Sequence, residues 1–461
     1  MENVKVGFLP LYLELYDDIG ERERADVDGY CDDLFAALAR TGVEFVRADV
    51  CRIAPEVKAA IAKFENEQVD AIITTHLAYS PSLESIDAVA GTKLPLLILD
   101  TTRDYNYGFD AVDDAITFNH GIHGVQDFCN LLRRRGKEYS LFVGHYTESD
   151  VIKRVTDAAR AVKAAKCIRS MKVGQIGGSF KCMGDFLASE NAMARLGVEK
   201  VVCDGDELAA LRDAVNEADI RAEYEADCAA HGADAVTYEE YACGERVSLA
   251  IRQWIKNHGL GAFTMNFLSA GKVKGFDGVA FTEASKAMAR GIGYAGEGDV
   301  LTAALVGALA KTFDKVNFTE MFCPDWKGDA LYMSHMGESN LNLLENRKTM
   351  MNPLPYIDCL DFHCIFGHMV PGKACVVNLL PNAEDWFDMV ICQGEMLQLP
   401  KQIDTMIPSM NGWFKPNLHL EDLLEKYSEL GGTHHSALVY GVDAKSLALF
   451  AKTLGIKCTI L

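Results

Sequence analysis

From Val4 to about Ser170 short apolar runs alternate with amphipathic stretches, and this alternation restricts the fold more than any single motif does. Val4–Leu9, Glu44–Ala48, Ala71–His76, Leu96–Asp100 and Ser140–His145 read as strands; Asp32–Thr41, Glu56–Glu67 and His123–Arg135 read as helices between them. Strands joined through helices wind as βαβ units into a parallel sheet covered on both faces. A long helix over about 150–170 closes this region, and a second α/β pattern opens at Lys172-Val173-Gly174-Gln175-Ile176-Gly177-Gly178. After about Val316 strand-like runs predominate: Ala330–Ser334, Tyr356–Phe362, Ala374–Leu380, Met389–Cys392, Ser436–Tyr440 and Ile456–Ile460. Val370-Pro371-Gly372-Lys373 and Met410-Asn411-Gly412 read as turns between them. A mainly β domain, sheet or barrel, is expected there.

Charge and composition exclude several classes of function. A formal net charge of −21 over 461 residues argues against nucleic acid, which needs clustered Lys and Arg to neutralise phosphates. The one basic run, Arg133-Arg134-Arg135-Gly136-Lys137, fits a helix C-terminus whose dipole favours cations. Asn216–Asp234, acidic and Ala-rich, reads as a solvated helix. The opening MENVKVGFLPLY lacks a basic region followed by an apolar one, and no apolar run reaches the roughly 18 residues that span a bilayer. The 14 cysteines include no Cys-x-x-Cys, which suggests free thiols in a reducing compartment, the cytoplasm. Two Gly-rich stretches invite a nucleotide reading. Gly177-Gly178 lacks the Gly-x-Gly-x-x-Gly spacing, whereas Gly291-x-Gly293-x-x-Gly296 has it but follows a helix, Glu283–Arg290, where a pyrophosphate would need a strand before the turn.

The stretch Gly291–Glu338 carries the chemistry. Glu297 lies in a Gly-rich turn before an apolar helix over 299–312, Glu320 after a strand-like run, and His335 inside Tyr-Met-Ser-His-Met; a His434-His435 pair follows in Gly-Gly-Thr-His-His-Ser. Hard carboxylate oxygens with one or two imidazoles and no cysteine suit Mn²⁺, Co²⁺ or Mg²⁺ better than a structural Zn²⁺. Taken singly, Glu297 also fits a charge that complements a helix N-terminus, and Glu320 a solvated strand-end charge. His76 and Asp100 fall at the C-terminal edge of the first sheet, where binding loops lie, but each equally fits a helix cap or turn.

In these residues the chain resembles the L-arabinose isomerase / L-fucose isomerase family, the arabinose branch more closely. Gly293-Tyr294-Ala295-Gly296-Glu297-Gly298-Asp299, with Thr302-Ala303-Ala304-Leu305, is similar to the run whose Glu is a metal ligand and acid/base group. Phe318-Thr319-Glu320 resembles the second Glu, Ser334-His335-Met336 the Ser-His-Met motif, and Gly431-Gly432-x-His434-His435 the Gly-Gly-x-His-His in which the second His is the ligand. Upstream, His76 through Ser80-Pro81 is similar to His-Thr-Phe-Ser-Pro, and Ile122-His123-Gly124 to an Ala-His-Gly whose His enters the neighbouring subunit's active site. The resemblance implies two Rossmann-like, flavodoxin-type parallel-sheet domains, here 1–170 and 171–315, then a β-rich C-terminal domain, 316–461. It places the active site at the junction of the last two domains. It also implies a divalent metal, usually Mn²⁺, held by Glu297, Glu320, His335 and His435, with both Glu catalytic and His123 and His76 facing the sugar. A trimer-based homo-oligomer, commonly a hexamer, is implied as well.

The expected activity is a metal-dependent aldose-ketose isomerase acting on a pentose or deoxyhexose through a cis-enediol. Two stretches depart from the family. Pro10-Leu11-Tyr12-Leu13-Glu14 replaces a Gly-Ser-Gln-type turn, and Met321-Phe322-Cys323-Pro324-Asp325-Trp326 replaces Asp-Tyr-Thr. They leave open another metal-dependent reaction on a sugar-like substrate, an epimerase or lyase step, or a non-catalytic sugar-binding paralogue. No Lys/Arg or Gly-rich phosphate cradle accompanies the site, so an unphosphorylated sugar is expected.

Overall fold

Five parallel strands, β1 (Lys5–Leu11), β2 (Glu44–Arg47), β3 (Ala71–His76), β4 (Leu96–Asp100) and β5 (Ser140–Val143), form the first sheet of the computed structural model. They lie in the order β2-β1-β3-β4-β5. The structure describes residues 2–18, 21–112, 115–232, 236–352, 354–400 and 410–461, and it divides into two units, Glu2–Lys163 and Ala164–Leu461. In the first unit β3 and β4 are buried along their whole length. Helices α1 (Glu21–Ala39), α2 (Ala54–Asn66), α3 (Ser82–Gly91), α4 (Ile116–Asn119) and α5 (Gly121–Arg134) connect the strands, and α6 (Val151–Ile168) leads out of the unit. Leu11, Ile61, Phe64, Ile72, Ile98 and Phe128 are among its core, each contributing about 1.5–3 kcal/mol by leaving water. The strand order reverses between β1 and β3, so a crevice opens at their C-terminal ends.

The second unit begins with another parallel sheet, β6 (Lys172–Ile176), β7 (Glu199–Val202), β8 (Ala262–Met265) and β9 (Gly293–Gly296), ordered β7-β6-β8-β9. Its helices are α7 (Glu190–Leu196), α8 (Gly205–Asp213), α9 (Glu217–His231), α10 (Tyr238–His258), α11 (Phe281–Ala289) and α12 (Val300–Ala310). A reciprocal cap between Thr237 and Glu240 starts α10, satisfying two otherwise unpaired backbone donors. Helix α12 has no polar face, and Leu301 through Leu309 are all buried. It packs on β9, and Gly293-x-x-Gly296 is therefore a strand under a helix, not a loop cradling phosphate.

The C-terminal part is built from β10 (Val316–Asp325), β11 (Ala330–Ser334), β12 (Leu344–Met351), β13 (His363–Met369), β14 (Gly372–Pro381), β15 (Phe387–Met396), β16 (Gly412–Pro416), β17 (His435–Tyr440) and β18 (Lys457–Ile460), with helices α13 (Leu420–Glu429) and α14 (Ala444–Leu454). Strands run β14-β17-β10-β11-β16-β15-β18, and β14 also pairs with β15, which closes a barrel and leaves β18 outside, parallel to β15. Closure removes the exposed edges of an open antiparallel sheet.

Two sequence expectations fail in this region. Tyr356–Phe362 is not a strand: Tyr356 and Leu360 are exposed, and the backbone of Leu360 bonds to Asp277 instead of to a ladder. The partner of His363–Met369 is β12, which the sequence reading missed. Met410-Asn411-Gly412 is not a free turn either, since Asn411 is fully buried, bridges to His368, and leads directly into β16. Among the described residues no helix is long and apolar enough to cross a membrane, and no disulfide joins any of the 14 cysteines.

Candidate metal centre

Strand register brings two of the predicted ligands together. Glu320 pairs with His435 on one side and with Ser334 on the other, so β10 carries its carboxylate between His435 and His335, the residue after β11. Glu320 thus lies within a strand, not beyond its end, with Nε2 of His335 3.9 Å from its Oε2. Glu320, His335 and His435 offer donor atoms all within 4.8 Å of one another.

Glu297 approaches from the turn between β9 and α12. It holds φ at 63°, a left-handed conformation uncommon outside glycine and costly enough to need support from its surroundings. The support comes from the loop after β6: the Glu297 carbonyl accepts the Phe180 N–H at 2.8 Å, and the Gly298 carbonyl accepts from Gln175 Nε2 and Ser179 Oγ. Oε2 of Glu297 then lies 3.7 Å from His435 Nε2 and 3.5 Å from His434 Nε2. Burial would raise the Glu297 carboxyl, but the His434 contact and the imidazoles of His335 and His435 hold it below its ordinary value. Gly296 makes room for His335, because a Cβ there would run into the His335 ring.

Carboxylates behind the ring aim each histidine. His335 Nδ1 bonds Glu338 Oε1 at 2.8 Å, and His435 Nδ1 bonds Asp299 Oδ2 at 3.0 Å. Asp299 also caps α12, accepting the Thr302 N–H through Oδ1 at 2.9 Å, so one side chain starts the helix and orients the His435 ring. His435 is fully buried, its ring stacked on Phe186 at 5.3 Å and 8°. Burial opposes a charge on His335, yet Glu338, Glu320 and Glu297 raise its basicity.

With Nδ1 engaged, Nε2 of His335 and of His435 and Oε2 of Glu297 are buried without hydrogen-bond partners. Buried polar atoms are rarely left so, and carboxylate–histidine pairs that present a bare Nε2 are the usual backing of a metal ligand. The donor set, two imidazole nitrogens and two carboxylates, fits a divalent ion. A cavity of ≈ 320 Å³ lined in part by Gln175, Ser179, Phe186 and Gly298 abuts the centre; a larger one, ≈ 890 Å³, opens beside Arg252 and Arg290 and shares none of these residues.

The two remaining predicted residues lie in the first unit. His123 is exposed on the first turn of α5, its ring 5.7 Å from that of His120. His76 ends β3 with 2% of its surface exposed and its ring against Phe128 and Gly124. Burial drives its imidazole down to about 4, so it packs as a neutral ring.

Three models of known families match this chain in succession: the L-arabinose isomerase N-terminal domain over residues 19–170, the central domain over 188–314, and the C-terminal domain over 315–457. The chain belongs to the L-arabinose isomerase family. Its relatives include L-arabinose isomerases of Anoxybacillus flavithermus, 25% identical over 96% of this chain and 91% of that protein, and of Phocaeicola vulgatus, 23% identical over 94% and 89%. That of Klebsiella pneumoniae is 23% identical over 87% and 82%. As a member of this family the chain is an enzyme, a sugar isomerase that interconverts aldose and ketose.

Sequence reading missed the supporting carboxylates of this family member's centre. Asp299 lies in the run that carries Glu297, and the i,i+3 spacing of His335 and Glu338 was a usable signal. Asp185, whose Oδ2 takes His434 Nδ1 at 2.6 Å, comes from a loop 249 residues away and has no local signature.

Proposed function

We infer that this protein is a metal-dependent aldose-ketose isomerase of a pentose or 6-deoxyhexose, working through a cis-enediol. The observation that supports this most is the cluster of donor atoms from Glu320, His335 and His435, with Glu297 3.7 Å from His435 Nε2, in which Glu297 Oε2 and Nε2 of both histidines are buried without hydrogen-bond partners. These four would hold the ion, Mn²⁺ or alternatively Co²⁺ or Mg²⁺. When bound, it would polarise the O1 and O2 oxygens of the open-chain sugar and acidify the C2 proton.

Isomerisation takes a proton from C2 and returns one to C1 while the hydroxyl proton moves from O2 to O1. One carboxylate of the Glu297/Glu320 pair takes and returns the carbon-bound proton; the other relays the oxygen-bound proton from the opposite face. Partial burial strengthens both contacts by excluding water. The departing stretch 321–326 continues β10 outward, with Phe322 and Trp326 exposed, and bears on which sugar is accepted more than on the proton transfers.

The three-domain division 1–170, 171–315 and 316–461, with the site at the second junction, belongs to the same proposal. So does a cytoplasmic, trimer-based homo-oligomer, a hexamer: Tyr105, Tyr107, Phe109 and Val112 stand exposed near His123 in sequence, an apolar surface suited to another subunit. His123 would cross to the neighbouring site and orient the sugar, whereas His76, buried, would act through the packing of α5.

The test is conversion in D₂O, followed by NMR, across pentoses and 6-deoxyhexoses with metal-reconstituted protein. Interconversion with deuterium at the reacting carbon is expected for at least one sugar. Inversion at one carbon with no aldose-ketose interconversion would overturn the isomerase reading in favour of an epimerase.

A further inference from the structure

Two turns meet at the C-terminal edge of the central sheet, Gly177-Gly178 after β6 and Glu297-Gly298 after β9. All four residues hold positive φ, 79°, 72°, 63° and 80° in that order. Three are glycines, which adopt this conformation freely; the fourth is Glu297, for which it is strained. A Cβ on Gly298 would fall 2.1 Å from the Gly178 carbonyl oxygen, and one on Gly177 would fall 1.7 Å from Ser269 Oγ. The Gly177-Gly178 pair, which lacks the phosphate-binding spacing, has its reason in this close approach.

A row of side chains across the sheet holds the strained turn. Gln175 of β6, Thr264 of β8 and Ala295 of β9 are neighbours in register, so their side chains share one face. Thr264 Oγ1 donates to the Gly296 carbonyl at 3.2 Å and Gln175 Nε2 to the Gly298 carbonyl at 2.9 Å; the Phe180 N–H donates to the Glu297 carbonyl between them at 2.8 Å. Three successive carbonyls are thus held by groups from outside the turn. Ser179 Oγ accepts from Gln175 Nε2 at 3.1 Å and donates to the Gly298 carbonyl at 3.2 Å, which steadies the amide. Thr264 is fully buried and Gln175 is 6% exposed, so water competes little for these bonds. Rotating any of these peptide planes would swing the Glu297 side chain away from His435, whose Nε2 lies 3.7 Å from its Oε2.

We propose that Gln175 and Thr264 are positioning residues for Glu297: they fix the backbone of residues 296–298 in a conformation that glutamate does not favour, and the metal affinity of the chain depends on them through that carboxylate. The proposal rests on the reading of Glu297 as a ligand in the function proposed above. Supporting groups of this kind matter because a ligand held in place loses little freedom when the ion binds.

The experiment is a double-mutant cycle on the full chain, stripped with chelator and titrated with Mn²⁺ alone. Gln175→Met keeps the side-chain length and removes the amide; Thr264→Val keeps the shape and removes the hydroxyl. Electron paramagnetic resonance gives Mn²⁺ dissociation constants into the millimolar range for wild type, for each variant, and for each variant combined with Glu297→Ala, with circular dichroism and thermal melting as the checks on folding. Each variant should weaken Mn²⁺ by about 10-fold or more when Glu297 is present, and by less than about 2-fold when Glu297 is already alanine. Wild-type affinity in both Gln175→Met and Thr264→Val would overturn the proposal. So would a loss that persists undiminished beside Glu297→Ala, since a general structural effect does not need that carboxylate. Wild-type affinity in Glu297→Ala would instead overturn the reading of Glu297 as a ligand, and the proposal with it. Should Gln175→Met lose its fold, the Thr264→Val cycle decides alone.

Discussion

Gly296 sets the tolerance of the candidate metal centre, because the His335 ring occupies the space where any other residue would place its Cβ. Gly296→Ala should push His335 away from Glu320, weakening Mn²⁺ binding at least 10-fold while costing about 1–3 kcal/mol of stability through overpacking. Isothermal titration and thermal melting measure both, and unchanged Mn²⁺ affinity would contradict the role given to His335. This glycine also shows what a single sequence conveys at the residue scale. Glu297, Glu320, His335 and His435 stand out from residue type and motif; the structure clusters Glu320 and His335 with His435, and Glu297 with His434 and the same His435. The Gly-x-Gly-x-x-Gly spacing around them, which follows a helix and so argued against phosphate, has its reason in close packing: Gly293 lies against α12 and Gly296 against an imidazole. Asp185 was illegible because its meaning depends on a fold that brings it to His434.

Among the elements, α9, α10 and α11 are tied by charge as well as by apolar contact such as that of Ile220 with Tyr241. Glu245 and Glu283 are fully buried; Arg252 pairs with Glu223 and Glu283, and Lys286 pairs with Glu223 at 2.6 Å and with Asp227 at 2.8 Å. Such groups, once buried, are costly to leave without partners. Burial works against the Glu223 carboxylate, but Arg252 and Lys286 beside it bring it from 4.5 down to about 2. Its folded value is the lower one, so its stabilisation is present above pH 4.5 and is lost as pH falls through about 2. Glu223→Gln should therefore cost about 3 kcal/mol near neutral pH and give a melting temperature that falls less steeply with acid over that window. An identical pH slope in wild type and variant would refute the assignment. The α/β part of this scaffold was legible because period and strand–helix alternation are local. The C-terminal part was less so: Leu344–Met351 carries Glu345, Arg347 and Lys348 through its middle, which hides a strand, and Tyr356–Phe362 looks like a strand but spends its backbone bonds on a loop.

The whole molecule is a sugar isomerase, and the proposed function gives it an active site shared between subunits. If His123 serves a neighbouring subunit, inactive His123→Gln and inactive Glu320→Gln should regain part of the wild-type activity when mixed under conditions that exchange subunits, since some sites would then carry neither defect. No recovery, with mixed oligomers demonstrated by mass spectrometry, would place His123 outside the neighbour's site. The central claim is that the ion held by Glu297, Glu320, His335 and His435 enables the isomerisation. It is tested most directly by titrating Mn²⁺ into chelator-stripped protein while following aldose-ketose interconversion by NMR. The account predicts activity that rises from background and saturates at about one ion per chain, with no rise in Glu320→Gln. Full activity in the stripped protein, or saturation that Glu320→Gln leaves unchanged, would contradict it.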